Sequence, residues 1–305
     1  MDKKERMYFY SVYGLNVLSS LHLPELVAGD EETDVIVRLG KVQPLPPVLN
    51  GTGTGFWATA DEACHFVEGV GAFLIRKGCE VIIDPAPGVE ERVLRLSILG
   101  PVLTLLLHQR GRFVLHASAV EAGGHAVAFM GGPFCGKSTQ AAILESRGYG
   151  IVADDTTAID INENGCKVIP GFPWLKLWPD TIISLGETPE SMTQLHPLLE
   201  KRGRRPTREF SQKSLPLKRI YLLAVGSTPA IEPCRPQEAL TAIMRHWKGA
   251  QFGPELLRSS DVSSFFLQCG NLANKVAVYR LKRPASLPAL PEVADLVEEH
   301  LALDA

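Results

Sequence analysis

The chain has few of the features that would send it out of the cell, into a bilayer or onto nucleic acid. Its six cysteines, Cys64, Cys79, Cys135, Cys166, Cys234 and Cys269, are scattered through 305 residues without a paired spacing. That excludes a disulfide framework read from spacing and a Cys-x-x-Cys metal or redox motif, and it predicts reduced thiols in a cytoplasmic protein. Met1 to Arg6 is charged and is not followed by the apolar core of a secretory signal. The longest apolar region, Leu94 to Leu107, is too short for a bilayer and is interrupted by Arg95, Ser97, Gly100 and Pro101. The formal net charge is −3, and the most basic run, Lys201-Arg202-Gly203-Arg204-Arg205, is short. No nucleic-acid footprint and no membrane binding is therefore expected. Internal repeats and low-complexity tracts are also missing.

What is present is an ordinary globular composition, 45% hydrophobic and 21% charged, long enough for one large domain or a core with a smaller addition. One stretch stands out: Gly131-Gly132-Pro133-Phe134-Cys135-Gly136-Lys137-Ser138-Thr139. It fits G-x-x-x-x-G-K-[ST], the phosphate-binding loop. Ala126 to Met130, apolar throughout, predicts a strand before it. Gln140 to Arg147 predicts a helix after it, closed by Gly148. Glycines let backbone N–H groups turn toward a polyphosphate, and the helix N-terminus adds its positive dipole end. Lys137 reaches the outer phosphates, and the Ser138 hydroxyl can ligate Mg²⁺. The plain alternative is a glycine-rich turn between a strand and a helix.

Residues 1–88 read as a β-rich accessory layer and 89–305 as the domain carrying the loop. Short strands are predicted at 34–39, 56–60, 65–67, 72–76 and 81–84, after an extended segment that turns at Gly14. Glu62, His65 and Glu68 are considered as metal ligands, with a solvated edge as the preferred reading. Glu90 to Gln109 predicts a helix that Pro101 kinks. Phe113 to Val120 predicts a strand that turns over Glu121–Gly124. A hairpin with the loop's strand then pairs Val120 with His125 and His116 with Phe129, leaving His116 near the loop.

Ile151-Val152-Ala153-Asp154-Asp155 is a short apolar strand ending in two carboxylates. One can help to hold Mg²⁺ while the other accepts a proton from an attacking hydroxyl; two solvated loop acids are the alternative. Thr157–Ile161 and Cys166–Ile169 predict a second hairpin. Pro170 to Asp180, with Trp174 and Trp178, reads either as a rigid wall of a cleft or as core. Residues 198–214, polar and basic, read as a mobile loop. Later strands are expected at 217–225 and 276–281, and helices at 236–247, 254–272 and 290–303.

Leu115-His116-Ala117-Ser118-Ala119-Val120, the loop Gly131 to Ser138, and Val152-Ala153-Asp154-Asp155 together resemble the catalytic domain of HPr kinase/phosphorylase. That resemblance covers roughly residues 113–180. It implies an α/β, phosphoenolpyruvate-carboxykinase-like P-loop fold, similar to the HPr kinase C-terminal domain. Pro170-Gly171-Phe172-Pro173 with Leu177-Trp178-Pro179-Asp180 more resembles the stand-alone HPr-kinase-like proteins. Among these are lasso-peptide kinases, which phosphorylate a precursor's C-terminal serine. The resemblance implies that Asp155 is the general base, or the general acid in reverse. It implies that Ser138 and Asp154 lie at the Mg²⁺, and that His116 lies near the transferring phosphate. Phe134-Cys135 departs from the smaller residues of the bifunctional enzymes. For their acidic and arginine signature loop, Asp180 or Arg204 and Arg205 are candidates beside a reading as solvated loop residues.

The expectation is an ATP-dependent kinase acting with Mg²⁺ on a hydroxyl, a serine of a peptide or protein partner. A homo-oligomer is compatible with it. Two alternatives stand beside it: a small-molecule kinase or carboxykinase, and a nucleotide-dependent regulatory binding protein with slow or no turnover. The Asp154–Asp155 pair argues against the last, because a pure sensor needs no base. A GTPase reading is weak: Asn274-Lys275 lacks the following aspartate of the guanine motif.

Overall fold

The computed structural model describes residues 6–48, 53–208, 210–259 and 261–303. The chain divides into two units, residues 1–112 with 249–265 and residues 113–248 with 266–305. Met1 to Glu5, part of the charged N-terminal run, lie outside the described residues.

In the first unit, apolar residues alternate with polar ones at the period of a strand. On β2 (Leu15–Ser19) Leu15 and Val17 turn inward, and on β4 (Val35–Leu39) Val35 and Val37 do so. With β1 (Tyr8–Val12), β3 (Val27–Ala28), β5 (Thr54–Ala58), β6 (Glu62–Val67), β7 (Gly71–Arg76) and β8 (Glu80–Pro85) they form one eight-stranded sheet. Its order is β3-β1-β2-β4-β8-β7-β6-β5, antiparallel except where β4 meets β2 and β8. The expected helix over 90–109 is α1 (Glu91–Ser97), a widened π turn at 98–102 that holds Pro101, and α2 (Leu103–Gln109). Pro101 has no N–H for the helical ladder, and the wider turn absorbs it. Leu99, Val102, Leu103 and Leu106 pack with Val12, Val17, Val35, Val37 and Val81. That shared apolar surface keeps these helices in the first unit, although the sequence groups them with the residues after 88.

His65 does not sit on a solvated edge. It is buried on β6, with its ring 5.6 Å from Phe252 and 6.4 Å from Phe73. Burial pushes its imidazole down to about 4, against a backbone hydrogen bond at Gly55. Glu62 is paired with Arg76 at 2.7 Å. Among the described residues no group of three or more His, Cys, Asp or Glu side chains is placed to hold a metal. No helix there is long and apolar enough to cross a membrane.

The second unit is built on a nine-stranded mixed sheet. β9 (Phe113–Leu115) and β10 (Ala117–Ala122) are separate strands, because the chain breaks at His116. β10 runs antiparallel to β11 (His125–Met130) around Gly123-Gly124. Two glycines at positive φ close this turn in two residues, not four. The register therefore shifts by two: Ser118, not His116, faces Phe129, and Ala122 faces His125.

β12 (Gly150–Ala153) flanks β10, while β13 (Thr157–Asn162) and β14 (Gly165–Ile169) form the second hairpin as expected. β15 (Leu175–Leu177), β16 (Thr193–His196) and β17 (Leu199–Arg204) make a small antiparallel sheet of their own. β18 (Leu215–Val225) runs parallel to β11 and to β20 (Ala277–Arg283), which also pairs with β19 (Ala230–Pro233). α3 (Lys137–Ser146) and the C-terminal helix Leu290–Ala302 bury Ala141, Ala142, Leu144, Val293, Ala294 and Val297 against Val127, Phe129, Tyr221 and Leu223.

The expected mobile loop at 198–214 is in its first half strand β17. Arg204 is only 3% exposed. Its guanidinium meets Glu187 through both carboxylate oxygens and Glu145 at 2.8 Å, and Thr207 donates two more bonds to Glu145. An arginine alternating with leucine-facing positions reads as a loop by composition, but here a buried carboxylate on α3 draws it inward. Arg205 lies over the Trp174 ring at 5.4 Å. Residue 209 lies outside the described residues.

Candidate active site

The pairing pattern brings several chain ends to one edge of the second unit's sheet. β11 ends at Met130, opposite Ala117 at the start of β10, and β12 ends at Ala153, opposite Ala119. Everything that follows β11 and β12, or precedes β10, therefore converges there.

After β11 the loop Gly131–Gly136 turns into α3. Phe134 and Gly136 have positive φ, 63° and 85°. Gly136 is the left-handed N-cap of α3, a conformation glycine adopts without penalty. Lys137 is buried, and its Nζ donates to Gly131 O and Gly132 O, each at 3.0 Å. Burial lowers the affinity of its amine for a proton, while Asp155 and Asp154 raise it; burial prevails. Thr139 Oγ1 lies 3.1 Å from Thr181 Oγ1. Arg283, at the end of β20, reaches back with Nε to Cys135 O at 3.2 Å. Cys135, like the other five cysteines, is a free thiol.

The two aspartates after β12 point to different surroundings, not through strand alternation as expected but because the chain leaves the strand at Ala153 and turns sharply at Asp155. Asp154 is 5% exposed; Oδ1 accepts from Ser118 Oγ at 2.6 Å and Oδ2 from the Lys176 backbone N–H at 2.9 Å. Asp155 has φ 65° at the centre of a three-residue turn closed by Thr156 N–H to Asp154 O. A non-glycine residue there is strained by about 1–3 kcal/mol, a feature that gathers at functional sites. Its carboxylate is held from three sides. Oδ1 lies 3.2 Å from His116 Nε2 and 2.8 Å from Lys248 Nζ, and Oδ2 lies 3.0 Å from Lys176 Nζ. Lys248 Nζ also donates to the Asp155 carbonyl at 2.8 Å.

The electrostatics follow from this crowding. Burial opposes the Asp155 anion, yet Lys176, Lys248 and His116 together hold its carboxyl well below the usual carboxylate range. Burial lowers the proton affinity of His116, and Lys248 and Lys137 lower it further, against its bond to Asp155. The two lysines on Asp155 move in opposite directions. Burial weakens both, but Lys176, flanked by Asp155 and Asp154, ends above its ordinary value. Lys248, repelled by Lys176, ends below.

Of the residues singled out in the sequence, His116, Pro133, Phe134, Gly136, Lys137, Ser138, Thr139, Asp155 and the exposed Asp180 line one cleft of about 720 Å³. Lys176, Leu177 and Trp178 form part of its wall, so the Pro170–Asp180 segment divides: Phe172 is core and Trp178 is cleft. Asp154 and Arg204 are buried, and neither is among the residues lining the cleft.

Sequence reasoning missed Lys176, Lys248, Ser118 and Arg283. Lys176 carries a signal, a lone cation between two buried leucines. So does Ser118, a hydroxyl inside an apolar strand. Lys248 carries none: it arrives because Leu115 bridges to Trp247 and His116 N–H donates to His246 O at 2.8 Å, which zips residues 246–248 along the break in the β9–β10 segment.

The arrangement suits a polyanion. Lys137, Lys176, Lys201 and Arg283 line the cleft against Asp155 and Asp180, an excess of cationic charge before any ligand arrives. An exposed backbone loop at a helix N-terminus adds to it. With few carboxylates available, Mg²⁺ here would share its coordination with ligand oxygens, the common pattern for that ion. No protein-family model matches this chain, and no curated protein matches it in sequence. Among solved structures, the HPr(Ser) kinase/phosphatase from Coxiella burnetii is similar at 12% identity, over 63% of this chain and 99% of that chain, with a TM-score of 0.31.

Proposed function

We propose that this protein is an HPr-kinase-like, ATP-dependent phosphotransferase whose acceptor is a hydroxyl, a serine of a peptide or protein. The observation that carries the reading is one cleft wall holding both halves of the chemistry. The Gly131–Thr139 loop with Lys137 is suited to the phosphates, and Asp155, beside His116, is suited to the acceptor's proton. In this reading the residues Gly131 to Thr139 cradle the donor phosphates. Ser138 would hold Mg²⁺, which supplies charge neutralisation when bound; the expected direct part for Asp154 does not fit, because both its oxygens accept from Ser118 and the Lys176 N–H off the cleft lining, so it would act on the ion only as a nearby charge. Asp155 takes the hydroxyl proton as the acceptor oxygen bonds to the terminal phosphorus and the bond to the nucleoside diphosphate breaks. Lys137 and His116 orient the transferring group. The narrower proposal, a lasso-peptide precursor phosphorylated on its C-terminal serine, rests on the resemblance of the Pro170–Asp180 segment.

A nucleotide-dependent binding protein with slow turnover is the second reading, favoured by the occupation of both Asp155 oxygens by protein groups. Incubation with ATP, Mg²⁺ and serine-containing peptides, followed by intact-mass analysis, separates the two. Gain of one phosphate on a peptide supports the kinase; nucleotide binding without any peptide modification supports the second reading.

A further inference from the structure

Two lysines meet Asp155, and nothing in the reaction as proposed requires both. Their surroundings differ. Lys248 Nζ spends two bonds on one residue, Asp155 Oδ1 and the Asp155 carbonyl, both at 2.8 Å. It is buried and absent from the residues that line the cleft. Its two contacts clamp the side chain and the main chain of the very residue that has positive φ. Lys176 is placed otherwise. Its backbone is fixed by N–H donation to Asp154 Oδ2 and by β15 pairing with β17, where it faces Gly203. Its side chain lines the cleft together with Lys137, Ser138 and His116, and its ammonium touches Asp155 through a single oxygen at 3.0 Å.

We propose that Lys176 is a phosphate-binding residue that rests on Asp155 in the ligand-free protein and exchanges it for the donor's phosphate oxygens, while Lys248 is a fixed positioning residue that keeps Asp155 in its strained turn. This rests on the kinase reading and deepens it. An ammonium has three N–H groups, and among the described residues Lys176 Nζ meets Asp155 alone, which leaves two N–H groups for a ligand. A polyphosphate carries several negative charges against the single charge of Asp155, so a cation on a flexible stem within the same cleft is drawn to it. Departure of Lys176 uncovers Asp155 Oδ2, the one carboxylate oxygen not also held by His116 and Lys248. That oxygen is then open to accept from a hydroxyl. Arrival of the donor thereby exposes the acceptor for the proton. Lys248 cannot make the same move without releasing the Asp155 carbonyl.

The test uses the full chain and inorganic tripolyphosphate with Mg²⁺, a probe that has phosphates and no base. Isothermal titration compares wild type, Lys137→Ala, Lys176→Met, Lys176→Arg and Lys248→Met, with thermal unfolding as the check on folding. Loss of a charge-assisted bond predicts roughly 10–100-fold weaker tripolyphosphate binding for Lys176→Met. Lys176→Arg, which keeps the charge, should recover most of it. Lys248→Met should bind within about threefold of wild type yet unfold at a lower temperature, because it removes a buried clamp and no phosphate contact. Lys176→Met binding as tightly as wild type, or Lys248→Met showing the larger loss, overturns the inference. The kinase reading fails separately: wild type and Lys137→Ala binding tripolyphosphate alike removes the phosphate loop. In that case Lys176 is a structural partner of Asp155 and both proposals fall.

Discussion

The two units differ in where they gather charge. In the first, the pairs Arg38 with Glu80, Lys41 with Asp84 and Arg76 with Glu62 are partly exposed, and one pair, Arg95 with Glu25, is mostly buried. In the second, Lys137, Lys176, Lys248, Asp154 and Asp155 are drawn together at one sheet edge, and Arg204 and Glu145 are buried outright. Pairs of the first kind add little to stability, since water and salt screen them. Groups of the second kind lose hydration that their mutual attraction only partly restores. A fold has little stability reason to gather three lysines and a second aspartate around a strained Asp155. The contrast is what the proposed chemistry in the second unit would require, and each substitution below either breaks that contrast or sharpens it.

The largest effect belongs to Lys137. In Lys137→Ala, phosphoryl transfer is expected to fall to background, a loss of at least ~10³-fold, because its charge matters most as phosphate charge shifts in the transition state. Circular dichroism should show the fold intact. Turnover at the wild-type rate would remove the phosphate-loop assignment. Next comes Asp155→Asn, which keeps shape and should cost on the order of 10²–10⁴ in rate with nucleotide affinity nearly unchanged. Asp154→Asn should instead raise the Mg²⁺ concentration needed for activity. Initial rates across a Mg²⁺ titration compare the two, and rescue of Asp155→Asn but not Asp154→Asn by high Mg²⁺ would reverse their roles.

Much of this site was legible in the sequence because its parts are local. A strand, six loop residues and a helix are consecutive, and so are β12 and its two aspartates. The hairpin register differs by two from the expected one, since the turn needs only Gly123-Gly124, yet His116 does reach Asp155. Lys248 was invisible because it depends on a long-range bridge, Leu115 to Trp247, which no periodicity reports. Arg204 was misjudged for a related reason. A basic run looks solvated until the partner 59 residues away, Glu145, is known to be buried.

Arg204 supplies the stability comparison. Arg204→Met leaves Glu145 buried with Thr207 as its remaining partner among the described residues, and should cost about 3–5 kcal/mol in urea unfolding of the second unit. The matching change on the rim, Arg76→Met, should cost no more than about 1 kcal/mol. Equal losses from the two would mean that the Arg204 network is relaxed in solution, and would blur the distinction between the units.

The smallest effect sharpens the comparison through two histidines. Burial lowers both His65 and His116, but His116 has a carboxylate partner, whereas His65 has phenylalanines, a backbone contact and an Nδ1 with no hydrogen-bond partner among the described residues. In the unfolded chain a histidine titrates near ~6.5, and in the folded chain His65 does so at about 4. Between those values the unfolded state binds the extra proton, so His65 subtracts stability as pH falls through that window and subtracts nothing above it. At ~pH 5 the loss is about 2 kcal/mol relative to ~pH 7.5, from the separation of the two pKa values. His108 and His246 are pushed to about 4 by burial, and His116 is lowered as well; all act in the same direction, so His65 carries one share of the wild-type slope. His65→Phe should flatten the pH dependence of urea unfolding by that one share while leaving catalysis alone. If the variant instead keeps the full slope, His65 is solvated in the native protein, and the first unit's core is looser around β6 than its packing against Phe73 and Phe252 implies.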